Sequence, residues 1–261
     1  YIARLKKELT IQKEIRNEIR IAKQIQENIL PKKLPEDKCF KLVSFFQPAK
    51  LVSGDFFDAF LLNKDILVLI VGDVSGKGIP ASFFMAVIST ALRINCLEKN
   101  CLEPDRIFKI VNDFLLKSKD NTFFATVFMG FYYFKTGKFV YANAGHPEAA
   151  LIKQNSNVEL FGILGNTPLG MQSFADGDFI KGEYQLEKGD KLVLYTDGVT
   201  EAVCKDNKRD FFEEKGLIDS LKKNNTKSIT EVVDGLYQNI LEYQGKIQAD
   251  DIAIIGLERL E

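Results

Sequence analysis

The chain has 261 residues, 46% of them hydrophobic, and a formal net charge of −1. This length and composition are enough to bury the core of one large domain, and the near-neutral charge does not favour nucleic acid as a partner. The four cysteines form no CxxC pair, so neither a zinc site nor a disulfide framework is predicted. No stretch reaches the roughly 18 consecutive apolar residues of a membrane span.

The first 30 residues predict a long helix. They contain no Gly or Pro, are dense in Lys, Glu, Gln and Ile, and end at Pro31. Apolar side chains recur with a period close to that of a helix, which indicates an amphipathic face. Because Gln12 and Gln26 interrupt the apolar seam, a helix that dimerises or docks on a domain is favoured over a self-sufficient coiled coil. We therefore predict a linker or regulatory helix at 1–35 and the main domain at 36–261.

The rest of the chain carries strand and helix patterns without regular βαβ alternation. Strands are predicted at 40–48, 51–53, 56–62, 66–71, 123–134, 138–143, 149–153, 158–161, 179–185, 192–196 and 252–257. Helices are predicted at 79–95, 105–116, 211–222 and 229–243. Because the helices fall in two pairs between groups of strands, the pattern favours an α+β fold over a doubly wound sheet.

Aspartates follow or precede several of the predicted strands. Ile66–Val71, six apolar residues of which half are β-branched, predicts a strand buried on both faces that runs into Asp73. A carboxylate there is costly unless a cation or strong donors compensate it. Related patterns carry Asp55, Asp197 and the pair at 250–251. If neighbouring strands bring these ends together, four or five aspartates share one sheet edge.

Such a cluster predicts a metal site. Carboxylates a few ångströms apart raise each other's pKa values, so the cluster cannot be fully ionised without a cation. Oxygen-only sites select hard ions, and two Mn²⁺ or Mg²⁺ ions are expected. A nucleotide-binding P-loop is excluded by spacing, because Gly72 and Gly76 enclose three residues instead of four and Gly78 stands where Ser or Thr is required.

Five motifs carry a resemblance to a known family. They are GDFFD at 54–58, GDVSGKG at 72–78, NAGHP at 143–147, YTDGVTEA at 195–202 and DD at 250–251. In this order and at this spacing they resemble the motifs of the bacterial SpoIIE/RsbU branch of the PPM metal-dependent serine/threonine protein phosphatases. The resemblance implies a four-layer α/β/β/α sandwich of two antiparallel sheets, preceded by the long N-terminal helix.

The same resemblance implies the site residues and the reaction. Asp55, Asp73 and Asp197 are the implied catalytic residues. The implied metal ligands are Asp55, Asp73 (which bridges two ions), the carbonyl of Val74, Asp197, Asp250 and Asp251, with Asp250 favoured within the last pair. A water activated by two metals attacks the phosphorus of phosphoserine or phosphothreonine. No general acid is assigned, because Ser75 stands where the eukaryotic branch has histidine.

Partners are also implied by the resemblance. The substrate is a phosphorylated STAS-domain anti-sigma-factor antagonist in a partner-switching pathway, with an upstream sensor domain and a homodimer through the N-terminal helix. This helix is expected to regulate the metal ligands by pressing on the helix at 79–95. Because the sequence begins with Tyr1 rather than Met, we expect a piece of a longer protein. Its expected location is the cytoplasm, including the cytosolic part of a membrane-anchored protein.

The residues leave several alternatives open. The chain is alternatively a catalytically silent module that binds a phosphoprotein, or a hydrolase of nucleotides or small phosphoesters. His146, the only histidine, favours a hydrogen bond within a turn over catalysis. Lys77 is equally compatible with attraction of phosphate and with no special role. Asp58 is expected to orient its turn or to support a metal ligand. Ala253 replaces a threonine frequent in the family, which puts one local hydrogen bond in doubt.

Overall fold

The computed structural model describes residues 2–99, 102–117, 123–162, 165–171, 179–245 and 248–261. Its helices are α1 (Ile2–Ile29), α2 (Ile79–Lys99), α3 (Pro104–Leu116), α4 (Glu213–Asn224) and α5 (Ile229–Gln244). Its strands are β1 (Phe40–Gln47), β2 (Phe56–Asn63), β3 (Ile66–Val74), β4 (Ala125–Tyr133), β5 (Lys138–Ala144), β6 (Ala149–Ile152), β7 (Val158–Phe161), β8 (Lys181–Gln185), β9 (Lys191–Tyr195) and β10 (Ile252–Arg259).

The strands form two five-stranded antiparallel sheets. One has the order β1-β10-β9-β6-β7 and the other β2-β3-β4-β5-β8. The pair α4 and α5 packs on the first sheet, and the pair α2 and α3 packs on the second. Contacts of β10 with β2 and β3 join the sheets face to face. The predicted α+β class and the four-layer α/β/β/α sandwich are therefore confirmed, with α1 preceding it.

One predicted strand is wrong. Residues 51–53 form a bend, and the backbone of Ser53 is bonded by the side chain of Gln26 instead of by a neighbouring strand. Of the four cysteines, Cys39 and Cys96 are buried and Cys204 is partly exposed. The fourth, Cys101, lies outside the described residues.

Helix α2 is the most apolar of the helices. Over Ile79–Glu98 it is long and apolar enough, by length and composition, to cross a membrane. Ala81, Met85 and Ile88 lie on its fully buried face, which packs on β2 and β3. Such a half-buried core helix meets the same length and composition criteria as a membrane span, so this property does not distinguish the two.

Strand pairing explains where the aspartates lie. Phe56 pairs with Gly72 in the antiparallel β2–β3 register, so Asp55 and Asp73 lie at the same end of one sheet. Ile254 pairs with Tyr195 in the β9–β10 register, which brings residues 197 and 250–251 to one end of the other sheet. The predicted single sheet edge is therefore wrong, because the aspartates come in two groups from two facing sheets.

The core depends on β3, and this makes a stability prediction. Leu69 of β3 is fully buried, whereas Leu61 of β2 is 41% exposed. Leu69→Ala should lower the free energy of unfolding by about 2–5 kcal/mol, because it leaves a cavity between the layers. Leu61→Ala, the matched control, should cost less than about 1 kcal/mol. Denaturant unfolding measures both, and equal losses would contradict this account of the core.

Candidate metal site at the end of the two sheets

Asp55 is the most buried of the clustered aspartates, with 2% of its surface exposed. The backbone N–H of Asp55 donates a hydrogen bond to the Ser53 Oγ at 2.9 Å. Its Oδ2 is buried and finds no hydrogen-bond partner among the described residues. Burial first, and then the negative charge of Asp73, hold the pKa of Asp55 well above its ordinary value. A cation beside this oxygen would relieve both costs.

Asp73 lies beside Asp55, near the end of β3. Burial, followed by the charge of Asp197, raises its pKa to about 7. A Cβ at residue 54 would lie 2.8 Å from the Val74 carbonyl oxygen and 3.3 Å from Asp73 Oδ1. Glycine at 54 therefore allows the backbone to pass this close, and the Val74 N–H donates to the Gly54 carbonyl at 3.3 Å.

Asp197 follows β9 on the facing sheet. Burial, followed by the charges of Glu201 and Asp250, raises its pKa to about 6. The preceding Thr196 fixes the ends of the two strands, since its Oγ1 accepts from the Ala253 N–H at 2.9 Å and its N–H donates to the Ala253 carbonyl at 3.0 Å. These bonds use the backbone of residue 253, so an alanine side chain there leaves them intact.

Asp250 and Asp251 have different surroundings. Asp251 Oδ1 accepts the Ala49 N–H at 2.6 Å, and its Oδ2 accepts the Gly54 N–H at 3.3 Å. Asp250 Oδ2 instead lies 2.7 Å from the Nζ of Lys77. Asp251 thus holds the β1–β2 loop at two backbone positions. Asp250 instead contacts the flexible Lys77 side chain and, through Oδ1, the adjacent Asp251 N–H at 3.0 Å.

Lys77 is the cation that pairs with Asp250, and 54% of its side chain is exposed. Its hydrogen bond to Asp250 is the main reason that its pKa is raised. Across the described part of the chain, no group of three or more His, Cys, Asp or Glu side chains could hold a metal ion in this arrangement. In this arrangement Asp250 is paired with Lys77, and Asp251 with backbone N–H groups.

The donor set nevertheless fits hard divalent ions. It offers carboxylate and carbonyl oxygens, which suit Mg²⁺ and Mn²⁺. A buried carboxylate oxygen lacks a partner among the described residues, and three neighbouring aspartates have raised pKa values. A cation at this position would stabilise all three carboxylates. Asp250 would join them as a ligand only if its side chain turned away from Lys77.

His146 joins the two sheets beneath the aspartates. Its ring nitrogens lie 2.9 Å from Thr126 Oγ1 on β4 and 3.0 Å from the Tyr195 carbonyl on β9. Asn143 closes the turn by bonding the backbone N–H and carbonyl of residue 146. Burial lowers the pKa of His146 to about 3, so the imidazole is neutral and forms structural hydrogen bonds.

Two other polar residues have structural contacts. Asp58 accepts hydrogen bonds at 2.7 Å on both oxygens from Arg93 of α2. This ion pair fastens α2 to β2, and Asp58 Oδ1 also accepts the Ala59 N–H at 2.9 Å. The expectation that Asp58 orients its turn or supports a metal ligand stays a prediction. Ser75 Oγ accepts the Phe124 N–H at 3.0 Å, which closes the loop after β3.

The raised pKa values predict how stability depends on pH without metal. Asp73 and Asp197 keep their protons to a higher pH in the folded protein than in the unfolded chain. Their contribution to the unfolding free energy is therefore full at low pH and is lost as the pH rises from about 4 to 7. In chelator, the unfolding free energy of the wild type should fall between pH 5.5 and pH 8. The fall in Asp73→Asn should be smaller by at least about 1 kcal/mol. The exposed control Asp234→Asn should behave like the wild type, and identical slopes for all three would contradict the prediction.

Comparisons with known proteins agree with this architecture. The family model of stage II sporulation protein E (SpoIIE) matches residues 63–260. Phosphoserine phosphatase RsbU of Bacillus subtilis (strain 168) is 32% identical over 249 residues, which cover 95% of this chain and 72% of RsbU.

Two solved structures share the fold. The SiaA-PP2C domain of Pseudomonas aeruginosa has a TM-score of 0.81 at 20% identity, covering 96% of this chain and 99% of that domain. RsbX in complex with magnesium has a TM-score of 0.62 at 17% identity, covering 87% of this chain and 98% of that chain. Because the family match spans most of the sequence, this chain belongs to the SpoIIE/RsbU family of PP2C-type phosphatases and is a protein-serine/threonine phosphatase.

Proposed function

We propose that this phosphatase hydrolyses phosphoserine or phosphothreonine on a protein, with two Mn²⁺ or Mg²⁺ ions held at the aspartate site. The observation that carries the proposal is the meeting of Asp55, Asp73 and Asp197, with raised pKa values, at one end of two sheets. The name of RsbU as a phosphoserine phosphatase and the magnesium complex of RsbX support it.

The chain offers a defined set of ligands. Asp55, Asp73, the Val74 carbonyl, Asp197 and Asp250 would hold the ions. We assign Asp250 in preference to Asp251, because the Asp251 oxygens hold the backbone of the β1–β2 loop, whereas Asp250 Oδ2 is bonded by the exposed, flexible side chain of Lys77. In this arrangement Asp251 positions the loop that carries Asp55 and is not itself a ligand.

The rigid strand ends supply the orientation that the reaction needs. When bound, the ions acidify a water molecule for attack on phosphorus and neutralise the phosphoryl oxygens. Asp55 and Asp73 are fixed by the β2–β3 register, and Thr196 fixes Asp197 against β10. His146 is not assigned to protonate the departing oxygen, because it is buried and neutral. Ser75 is not assigned either, since its hydroxyl is bonded to the Phe124 N–H in the loop after β3 and an alcohol is a weak acid.

The surroundings of the site favour a protein substrate. Three surface cavities are lined by residues other than the clustered aspartates: about 620 Å³ beside α4 and α5, about 650 Å³ beside α2 and α3, and about 960 Å³ beside β1. After burial, the charge of Glu201 contributes most to the raised pKa of Asp197, so an acidic side chain adjoins the site on that side. We propose a phosphorylated STAS-domain protein as the substrate, as the family resemblance implies, in a cytoplasmic partner-switching pathway.

Manganese-dependent phosphate release tests the reaction. Asp73→Asn should lower turnover of p-nitrophenyl phosphate by at least about a hundredfold, because it removes a charged metal ligand from the site. Asp234→Asn, an exposed aspartate on α5, is the matched control and should retain wild-type turnover.

The other outcomes separate the alternatives. Manganese binding without turnover on p-nitrophenyl phosphate or a phosphorylated STAS-domain protein would favour the catalytically silent module. Rapid turnover of small phosphoesters and none of the phosphoprotein would favour the small-molecule hydrolase. Turnover that continues at the same rate in chelator, without added metal, would contradict the proposal.

We also propose that α1 forms a homodimer and connects the enzyme to an upstream sensor. Three isoleucines on its surface, Ile11, Ile15 and Ile25, are 44%, 51% and 52% exposed. Their spacing places them along one side of the helix, where a second α1 could cover them. The division of the chain at residue 35 remains a prediction.

The dimer has its own test. Ile15→Glu should shift the wild-type dimer towards monomer in sedimentation velocity, because it buries a charge in the proposed seam. Lys13→Glu changes charge on the opposite side of the helix and should leave the dimer intact. A wild-type chain that sediments as a monomer at high protein concentration would contradict the proposal.

A further inference from the structure

Gln26 makes a buried contact that leads from α1 towards the metal site. It is 5% exposed, although it lies in a helix whose described side chains are exposed as far as Glu18. Its Nε2 donates to the Ser53 carbonyl at 2.6 Å, and its Oε1 accepts the Ser53 N–H at 3.0 Å. The amide thus pairs both backbone groups of one residue, as a neighbouring β-strand would.

The bonded residue lies two positions before Asp55. Ser53 Oγ accepts the Asp55 N–H at 2.9 Å, so the same residue that Gln26 holds also orients the backbone of the aspartate. Between them, the Gly54 carbonyl accepts the Val74 N–H and the Gly54 N–H donates to Asp251, both at 3.3 Å. Residues 53–55 therefore join α1 to both sheets at the site.

The burial of Asp55 makes its position sensitive to this contact. A fully buried carboxylate beside Asp73 has little room to adjust its side chain, so a shift of its backbone moves its oxygens. Planar amide groups bond a backbone N–H and C=O together only in one orientation. A rotation of α1 about its axis would break at least one of the two bonds.

We propose that Gln26 is a positioning residue for Asp55. Through this contact, the placement of α1 sets the affinity of the metal site for divalent ions. The inference rests on the metal site of the proposed function. It differs from the expected route through α2, since the path from Gln26 to Asp55 runs through one backbone segment. It requires no movement of α2, which α1 also contacts.

The test compares two glutamines of the same helix by calorimetric Mn²⁺ titration of the full chain. Gln26→Met keeps the length of the side chain but loses both bonds, and it should weaken Mn²⁺ binding about tenfold, as loss of a group that orients a metal ligand does. Gln24→Met changes an exposed side chain two residues away and should bind like the wild type. Gln26→Glu keeps the acceptor for the Ser53 N–H but sets a buried carboxylate against the Ser53 carbonyl, so it should weaken Mn²⁺ binding at least as much as Gln26→Met.

Circular dichroism and thermal unfolding in chelator separate positioning from stability. If Gln26 only stabilises the fold, Gln26→Met lowers the melting temperature while the folded protein binds Mn²⁺ as tightly as the wild type, and the inference is wrong. Equal weakening by Gln24→Met would also overturn it. If Gln26→Met does not fold, the comparison of Gln26→Glu with the wild type decides in the same way. A wild type that binds no Mn²⁺ would remove the proposed function together with this inference, whereas unchanged binding in both Gln26 variants removes the inference alone.

Discussion

Electrostatic repulsion among buried carboxylates at the shared end of the two sheets is the constraint on which the site depends. Burial raises the pKa values of Asp55, Asp73 and Asp197, and each carboxylate is attached to a strand end that cannot move away. Lys77 and the backbone N–H groups around Asp251 offset part of this cost. A divalent ion would offset the rest, so metal binding and stability of this end of the fold are linked.

The architecture was predictable because its signals are local. The patterns that placed most elements correctly lie within windows of about ten residues. They are apolar runs that end in Gly-Asp, paired helical patterns and short turns. Strand partners are not local, so the sequence did not show that Asp73 and Asp197 come from facing sheets. Residues 51–53 carry an apolar pattern, yet a side chain from α1 satisfies the Ser53 backbone, and no strand forms there.

The site was predictable in its residue types more than in their contacts. The motifs identified the aspartates, but adjacent Asp250 and Asp251 differ only in what their side chains meet after folding. Asp58 lies within a motif and pairs with Arg93 of α2, a contact across 35 positions of sequence. Gln26 did leave a signal, because a polar residue that interrupts an apolar seam is frequently buried against a partner.

The length of α1 has a mechanical consequence. A helix of 28 residues is about 42 Å long. Its described side chains are exposed as far as Glu18, while Gln26 and Leu30 are buried at the other end. If the helix pivots near Leu30, about 6 Å along the axis from Gln26, it acts as a lever whose far end travels about seven times as far as the amide. Such a lever would reduce a movement of several ångströms at the far end of α1 to one of less than one ångström at Ser53.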